Sequence, residues 1–242
     1  MSSSQPNGKS LRIGHEDIFV GRRVEIERIE SLLAEAKSGK GQLVAISGEA
    51  VIGKTLLARV AADRAAEKGF AVFWGRCHER QYVPPYWPWK QIMRGLLELP
   101  QRAKDRPRYE GYAASLRFVV PEVPQRSRGK ENPPALSPEQ ERLQVLDGVI
   151  GLLKTVSGRK PLLLILDNLH CADELSLRLL EVLAREMIAW KVLIVVAYRE
   201  TPLSGSGPFW ASLSALAGER LFHPVNLTGW DRDAVGEYIH AL

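Results

Sequence analysis

Eight residues decide the fold of this chain: Gly48-Glu49-Ala50-Val51-Ile52-Gly53-Lys54-Thr55. They fit the pattern G-x-x-x-x-G-K-[ST], which marks a phosphate-binding loop when it joins a strand to a helix. Both neighbours are predicted here, because an apolar run at 42–47 precedes the pattern and a helical pattern at 54–68 follows it. The alternative is a chance match in a glycine-containing turn, and the flanking strand and helix argue against it.

The loop predicts a nucleotide and a metal ion as ligands. Successive backbone N–H groups, together with the positive end of the following helix, bind phosphate oxygens. We expect Lys54 to reach the β-phosphate of ATP or ADP and the γ-phosphate of ATP, and the Thr55 hydroxyl to ligate Mg²⁺. The predicted nucleotide-binding residues of this segment are Gly48, Glu49, Ala50, Val51, Ile52, Gly53, Lys54, Thr55 and Leu56.

Length and composition limit the class of protein. The chain has 242 residues, of which 45% are hydrophobic, so it can form one large α/β domain or a core with a small appendage. Its formal net charge of +5 permits an acidic partner such as a nucleotide or a nucleic acid without requiring one. The two cysteines, Cys77 and Cys171, lack metal-ligand spacing and predict a reducing, cytoplasmic setting. No segment approaches the roughly twenty apolar residues of a membrane span, so no membrane contact is expected.

Strand and helix patterns alternate along the chain. We expect strands at 42–47, 70–74, 161–167, 192–197 and 221–227, and helices at 22–38, 54–68, 173–188, 208–217 and 232–241. This alternation predicts a mostly parallel sheet with helices on both faces. Residues 1–17 begin with a polar run and are predicted to form a disordered tail, so the domain is expected to span 18–242.

A segment rich in proline and basic residues interrupts the alternation at about 77–140. We expect helices at 89–99 and 108–120 within it, and a mobile loop at 121–138. The basic residues between 102 and 130 are either a solvated stretch or a nucleic-acid contact, and the lack of a helix-turn-helix pattern favours the first.

Two further features have two interpretations each. The aromatic run at 82–89 is either a surface for a partner or a proline-stiffened segment that packs on the sheet edge, and we favour the second. His170 either approaches the nucleotide or is a hydrogen-bonded loop residue, and again we favour the second.

A second motif ends at Asp167. A phosphate-loop NTPase needs an apolar strand that ends in an acid, because this acid helps to hold Mg²⁺. The run 162–166 before Asp167 fits, so the predicted metal-binding residues are Thr55 and Asp167, although a buried strand that merely ends in aspartate is the alternative. The strand at 192–197 is expected to lie between the other two, with its end directed at the γ-phosphate. Arg199 then either contacts that phosphate or is a solvated loop charge.

These motifs together carry a resemblance to a known family. The chain resembles the AAA-type ATPase domain of STAND signalling NTPases, which occurs in large LuxR-type transcriptional regulators and in some nucleotide cyclases and kinases. The similarity runs from about residue 18 to 240 and rests on the segments 18–22, 47–50, 52–55, 74–77, 84–89, 166–167, 169–170, 172–173 and 198–199.

The resemblance implies a fold and part of the site. It implies an AAA-like P-loop NTPase of the α/β class, with three α/β/α layers and a mostly parallel five-stranded sheet of order 5-1-4-3-2. It also implies that Phe19, Val20, Gly21 and Arg22 lie beside the adenine of the nucleotide. Phe19 and Val20 are equally compatible with a hydrophobic staple at the start of a helix.

Two departures from the family pattern concern hydrolysis. Val51 stands where the family usually has glycine, and a β-branched residue at φ > 0 costs on the order of 1–3 kcal/mol if the loop requires that conformation. Asn168 stands where the family has a second acid that polarises the attacking water, and an amide cannot accept the proton. Both departures predict an ATPase with slow or absent hydrolysis. The predicted catalytic residues are Lys54, Asp167, Asn168 and Arg199.

The function implied is that of a nucleotide-dependent switch. ATP and ADP would favour different arrangements of the domain, and effector or regulatory domains outside these residues would transmit that state in transcription or signalling. Contact with DNA is expected only through such an additional domain, and nucleotide-dependent oligomerisation is compatible with this function. Two alternatives are a noncatalytic interaction or scaffold module with a degenerate nucleotide site, and an origin-recognition-like DNA-binding ATPase, which would need a winged-helix domain.

Overall fold

A five-stranded sheet forms the centre of the molecule. The computed structural model describes residues 11–13, 17–19, 21–78, 84–99, 106–121, 136–200 and 206–229, and only the backbone of 11–13, 17–19 and 106–108. The strands are β1 (Leu11–Ile13), β2 (Asp17–Phe19), β3 (Gln42–Gly48), β4 (Ala71–Arg76), β5 (Leu162–Asp167), β6 (Val192–Ala197) and β7 (Phe222–Leu227). The helices are α1 (Arg23–Lys37), α2 (Lys54–Glu67), α3 (Trp87–Glu98), α4 (Arg106–Ser115), α5 (Pro138–Ser157), α6 (Glu174–Glu186) and α7 (Pro208–Ala217).

The strand order confirms the predicted fold class. The central sheet has the order β4-β5-β6-β3-β7, and each of its neighbouring pairs is parallel. Counted along the chain from the phosphate-loop strand, this is the order 5-1-4-3-2 of an α/β P-loop NTPase. Strand β6 lies between β3 and β5, as expected, so the loops that follow these three strands meet at one edge of the sheet.

Helices cover both faces of the sheet and bury its central strands completely. Side chains of α1 and α2 pack with one set of strand residues, which includes Val44, Ile165 and Val195. Side chains of α3 to α7 pack with the alternate set, which includes Leu164 and Val196. Because β3, β5 and β6 are buried on both faces, their sequences are continuous apolar runs rather than alternating ones.

The proline-rich segment contributes α3 and α4, which confirms the helices predicted at 89–99 and 108–120. Trp89 is fully buried, and its indole Nε1 donates a hydrogen bond to the carbonyl of Ser176 at 3.0 Å. The aromatic run is therefore part of the core at this position, in agreement with the packing interpretation. Residues 122–135, which make up most of the predicted loop, lie outside the described residues.

Helix α5 was not among the sequence-based predictions. Its start carries a capping box. The backbone N–H of Gln140 donates to Ser137 Oγ at 3.3 Å, and the backbone N–H of Ser137 donates to the Gln140 side-chain oxygen Oε1 at 2.9 Å. Its packing against α4 is close, because a Cβ added at Gly151 would lie 2.2 Å from the ring of Tyr112. The pattern Ser-Pro-Glu-Gln at 137–140 was the available signal for this helix.

The two ends of the chain are described only in part, so the predicted tail at 1–17 and the domain bounds stay a prediction. Strand β1 lies inside the predicted disordered tail of 1–17, and it pairs antiparallel with β2, so Leu11 is opposite Phe19. The backbone hydrogen bonds of this hairpin give these residues a regular structure. The helix predicted at 232–241 falls outside the described residues. Among the helices described, none is long and apolar enough to cross a membrane.

Candidate nucleotide-binding site

The candidate site lies at the carboxyl ends of β3, β5 and β6. The loop after β3 turns through three residues of positive φ, which are Gly48 at 143°, Val51 at 63° and Gly53 at 104°. Gly48 also meets a steric limit, because a Cβ there would lie 2.6 Å from the carbonyl oxygen of Leu227. Helix α2 begins directly after this loop at Lys54, so its unpaired first N–H groups face the loop.

Val51 is strained in this loop. A left-handed backbone conformation costs an L-residue about 1–2 kcal/mol, and the β-branched side chain makes it less favourable still. The side chain of Val51 is fully exposed to solvent, so no packing offsets that cost. The loop therefore does need positive φ at the position where the family usually has glycine.

The Lys54 ammonium lies over the loop that precedes it. Its Nζ donates to the carbonyl of Gly48 at 3.0 Å and to the carbonyl of Glu49. Glu49 and Ala50 are exposed at the tip of the loop, whereas the Ile52 and Leu56 side chains pack against the core. The predicted phosphate-binding segment thus has a polar, solvent-facing tip on an apolar base.

Positive charge is concentrated beside Lys54. Burial lowers the pKa of Lys54, and the nearby Arg199 guanidinium lowers the pKa further, while Asp167 and Glu200 act in the opposite direction. Two cations that repel each other across one small site are stabilised by an anion between them. The arrangement therefore favours an anionic ligand such as a phosphate group.

Asp167 joins the ends of three elements. The carboxylate is almost fully buried, and it accepts hydrogen bonds from Thr55 Oγ1 at 3.2 Å to each of its oxygens. The backbone N–H of Asn168 donates to Asp167 Oδ1 at 3.0 Å. Arg76 Nε lies 3.3 Å from Asp167 Oδ2, and Arg76 is the residue directly opposite Asp167 in the β4–β5 ladder. The two residues predicted to hold the metal ion are thus in contact.

The loop after β6 is tied to the two neighbouring loops. The Arg199 amide donates to His170 Nδ1 at 3.3 Å, which links the ends of β5 and β6 and makes His170 a hydrogen-bonded loop residue. The Glu200 amide donates to the carbonyl of Gly48 at 3.3 Å, which links β6 to the phosphate loop. The Arg199 side chain is exposed at this edge.

Asn168 also has positive φ, at 57°, and it precedes a short 3₁₀-helix at Leu169–Cys171. The Cys171 amide donates to the Asn168 carbonyl at 2.9 Å. Asparagine is one of the few non-glycine residues that adopt this conformation readily. The sharp turn after β5 is therefore compatible with the residue that occupies it.

The predicted adenine-binding residues are described only in part. Gly21 and Arg22 both have positive φ, and the Arg22 guanidinium donates to the carbonyl of Thr228 and pairs with Glu25 at 3.3 Å. The Arg22 side chain thus ties the start of α1 to the end of β7. Phe19 is described by its backbone alone, Val20 lies outside the described residues, and the adenine contact stays a prediction.

The donor set fits a nucleotide with Mg²⁺. Mg²⁺ prefers oxygen ligands, and it commonly binds through one or two protein groups, water and the phosphates of a substrate. Thr55 and Asp167 supply a hydroxyl and a carboxylate, and Lys54 supplies a cation beside them. Among the described residues no cluster of three or more His, Cys, Asp or Glu could hold a metal ion without such help.

Comparison with known proteins identifies the family. The family model described as AAA ATPase domain matches residues 18–196, which is more than half of the chain. The chain belongs to this family. AAA ATPase domains bind nucleotides, typically with Mg²⁺, so nucleotide binding is the property expected of the P-loop described above. No curated protein matches the chain significantly in sequence.

A solved structure has a similar fold to this AAA ATPase domain. The crystal structure of Cdc6p from Pyrobaculum aerophilum superposes with a TM-score of 0.56 at 14% sequence identity. The match covers 98% of this chain and 51% of that chain, so this chain spans about half the length of Cdc6p. At this identity the likeness concerns the fold alone.

Arg76 is the site residue that sequence reasoning did not assign. Its segment, Trp74 to Cys77, was part of the family resemblance, but nothing in the sequence tells which strand residue faces Asp167. Only the register of β4 against β5 places Arg76 beside that carboxylate. Arg76 lies two residues beyond the strand predicted at 70–74, and it is the last residue of β4 in the structure.

Proposed function

We propose that this AAA ATPase domain is an ATP-binding switch with slow hydrolysis, acting in a signalling or transcriptional regulator. The observation that carries the proposal is the contact between Thr55 and Asp167 beside Lys54. The next residue in the chain, Asn168, has an amide side chain in place of a carboxylate. The first three residues supply what nucleotide binding requires. The fourth lacks the proton acceptor that hydrolysis requires.

Binding is argued from the charges at the carboxyl edge of the sheet. Burial lowers the pKa of Lys54 most, and the positive charge of Arg199 lowers it further, so a phosphate group that contacts both cations would offset their repulsion. The N–H groups at the start of α2 point to the same place. Bound Mg²⁺ would supply charge neutralisation for the phosphates, held through Thr55 and Asp167.

Slow hydrolysis is argued from the residue after Asp167. A general base contributes about 10²–10⁴-fold to a proton-transfer step, and the Asn168 amide does not accept a proton near neutral pH. Its backbone is bonded to the Asp167 carboxylate, which keeps the side chain next to the site. Asn168 can therefore orient a water molecule by hydrogen bonding without deprotonating it.

Switching is argued from the hydrogen bonds between loops. Glu200 joins the phosphate loop to the loop after β6, and Arg199 joins that loop to His170 after β5. A group that binds at the phosphate loop therefore changes the positions of three loops together. Slow hydrolysis would lengthen the life of the ATP-bound arrangement, which suits a switch whose state is passed to effector domains.

Isothermal titration with ATP·Mg²⁺ and ADP·Mg²⁺ tests the binding step. We expect the wild type to bind and Lys54→Ala to lose affinity by about 10- to 150-fold, because a hydrogen bond to a charged group contributes about 1.5–3 kcal/mol. Lys37→Ala is the matched control, since Lys37 is the last residue of α1 and its ammonium donates to the carbonyl of Lys68, which follows α2. Its affinity should equal that of the wild type.

Two results would contradict the proposal. No heat of binding at millimolar nucleotide would favour the noncatalytic scaffold alternative. Single-turnover cleavage at the rate of an active ATPase, abolished in Lys54→Ala, would contradict slow hydrolysis.

A further inference from the structure

Arg76 places a guanidinium on the carboxylate that the proposed function assigns to the magnesium ion. Arg76 Nε lies 3.3 Å from Asp167 Oδ2, and the Asp167 side chain is 3% exposed while that of Arg76 is 47% exposed. A nearly buried carboxylate needs a positive partner or several hydrogen-bond donors to stay charged without a large cost. In this structure Arg76 supplies a positive partner at ion-pair distance, in addition to the nearby charge of Lys54.

The backbone of Arg76 is fixed on both sides. On its inner side, β4 pairs with β5 so that Arg76 is opposite Asp167, and the next amide, of Cys77, donates to the Asp167 carbonyl at 2.9 Å. On its outer side, the side chain of Gln91 bonds both backbone groups of Arg76, accepting from its N–H at 3.2 Å and donating to its carbonyl at 2.9 Å. The side chain of Arg76 therefore starts from a defined position next to the carboxylate.

Helix α3 is held close enough to β4 for Gln91 to make these bonds. A Cβ added at Gly75 would lie 2.3 Å from the carbonyl oxygen of Pro88, so the helix start and the strand end are in direct contact. The start of α3 is further fixed by the Tyr86 amide, which donates to Asp173 Oδ2 at 3.2 Å. These contacts fix the backbone of Arg76, so its side chain has less freedom than that of an ordinary surface arginine.

We infer that Arg76 is a positioning residue that competes with Mg²⁺ for Asp167. The guanidinium compensates the carboxylate when the metal ion is absent, and it shares the carboxylate when the metal ion is bound. The inference rests on the proposed function, because it assigns Asp167 to the metal ion. It predicts that Arg76 weakens the coupling between Mg²⁺ and nucleotide, which in turn eases release of the metal ion.

The opposing expectation is a direct contact between Arg76 and a phosphate group. Removal of such a contact would weaken nucleotide binding by the same factor with and without Mg²⁺. Removal of a competitor for Asp167 acts differently. It uncovers a negative charge, which weakens binding without Mg²⁺ and strengthens the contribution of Mg²⁺. The nucleotide affinity with Mg²⁺, divided by the affinity without Mg²⁺, therefore distinguishes a phosphate contact from competition for Asp167.

The test is the affinity of a non-hydrolysable ATP analogue, measured by titration calorimetry with and without Mg²⁺, for the wild type and Arg76→Gln. We expect the affinity with Mg²⁺, divided by the affinity without it, to rise by about tenfold in Arg76→Gln, the effect of losing an ion pair whose carboxylate is nearly buried. Arg178→Gln is the matched control, because the Arg178 guanidinium bonds Glu174 on the surface of α6 at 2.7 Å. Its ratio should equal that of the wild type.

Arg76→Lys covers the case in which Arg76→Gln does not fold. The lysine ammonium keeps the charge but not the planar donor at the Nε position. The affinity with Mg²⁺, divided by the affinity without it, should therefore rise by about threefold. An unchanged ratio in the folded variant overturns the inference and leaves the proposed function standing. A wild-type chain that does not bind the analogue at all overturns both.

Discussion

The loops after β3 and β5 each contain a non-glycine residue with positive φ, but the residue is valine in the first loop and asparagine in the second. Val51 in the first loop and Asn168 in the second have φ of 63° and 57°, and both stand where the family pattern has another residue. Asparagine adopts this conformation readily, while a β-branched residue does so at a cost of about 1–3 kcal/mol. Asparagine at 168 therefore changes the chemistry of the site with little cost in backbone strain. Valine at 51 adds backbone strain without removing a reactive group from the site.

The largest effect is expected on turnover in Asn168→Asp. The new carboxylate can accept a proton from a water molecule, so we expect single-turnover ATP cleavage to rise by about a hundredfold. The thermal midpoint of unfolding should change little, because aspartate also tolerates positive φ. Asn168→Gln is a useful control, since it keeps an amide and should leave cleavage slow. A rate in Asn168→Asp equal to that of the wild type would show that another group limits hydrolysis.

The second effect is a gain in stability in Val51→Gly. Glycine removes the strain at φ of 63°, and part of the gain is lost because glycine is more flexible in the unfolded chain. We expect the free energy of unfolding to rise by about 1 kcal/mol, which corresponds to about 2–4 °C in the thermal midpoint for a domain of this size. Val51→Ala, which keeps a Cβ without the branch, should fall between the two. A lower midpoint in Val51→Gly than in the wild type would exclude strain at this position.

The smallest effect is expected in Asn168→Gly, the same substitution at the unstrained position. Relief of strain is small here, and it is offset by the greater entropy of the unfolded chain, so the free energy of unfolding should stay within about 0.5 kcal/mol of the wild type. Thermal unfolding of this variant beside Val51→Gly measures the comparison directly. Equal gains at both positions would mean that asparagine and valine are equally strained.

The sequence predicted the sheet and the phosphate loop well because both depend on local patterns. Apolar runs predicted the strands, and the placement of β6 between β3 and β5 followed from the phosphate loop and the Asp167 motif. Helix α5 lies outside these predictions although its capping box at 137–140 is also a local pattern, because that box lies at the end of the proline-rich segment.

The acid side of the candidate site could be predicted only in part. Asp167 was recognised at the end of an apolar run, but its partner Arg76 lies 91 positions earlier in the chain, and only strand register brings the two together. The strain at Val51 could be stated only as a condition, because φ follows from the whole loop and not from the residue itself. The role of every predicted site residue in binding stays a prediction until nucleotide is titrated.

The side chain of Gln91 has a consequence for how this domain can associate. Strand β4 is an edge of the sheet, and an exposed edge can add a strand from another chain. Gln91 bonds the N–H and the carbonyl of Arg76, which are the groups that such an added strand would use at this end of β4. Strand addition from a second molecule is therefore obstructed at this end of β4, beside the site.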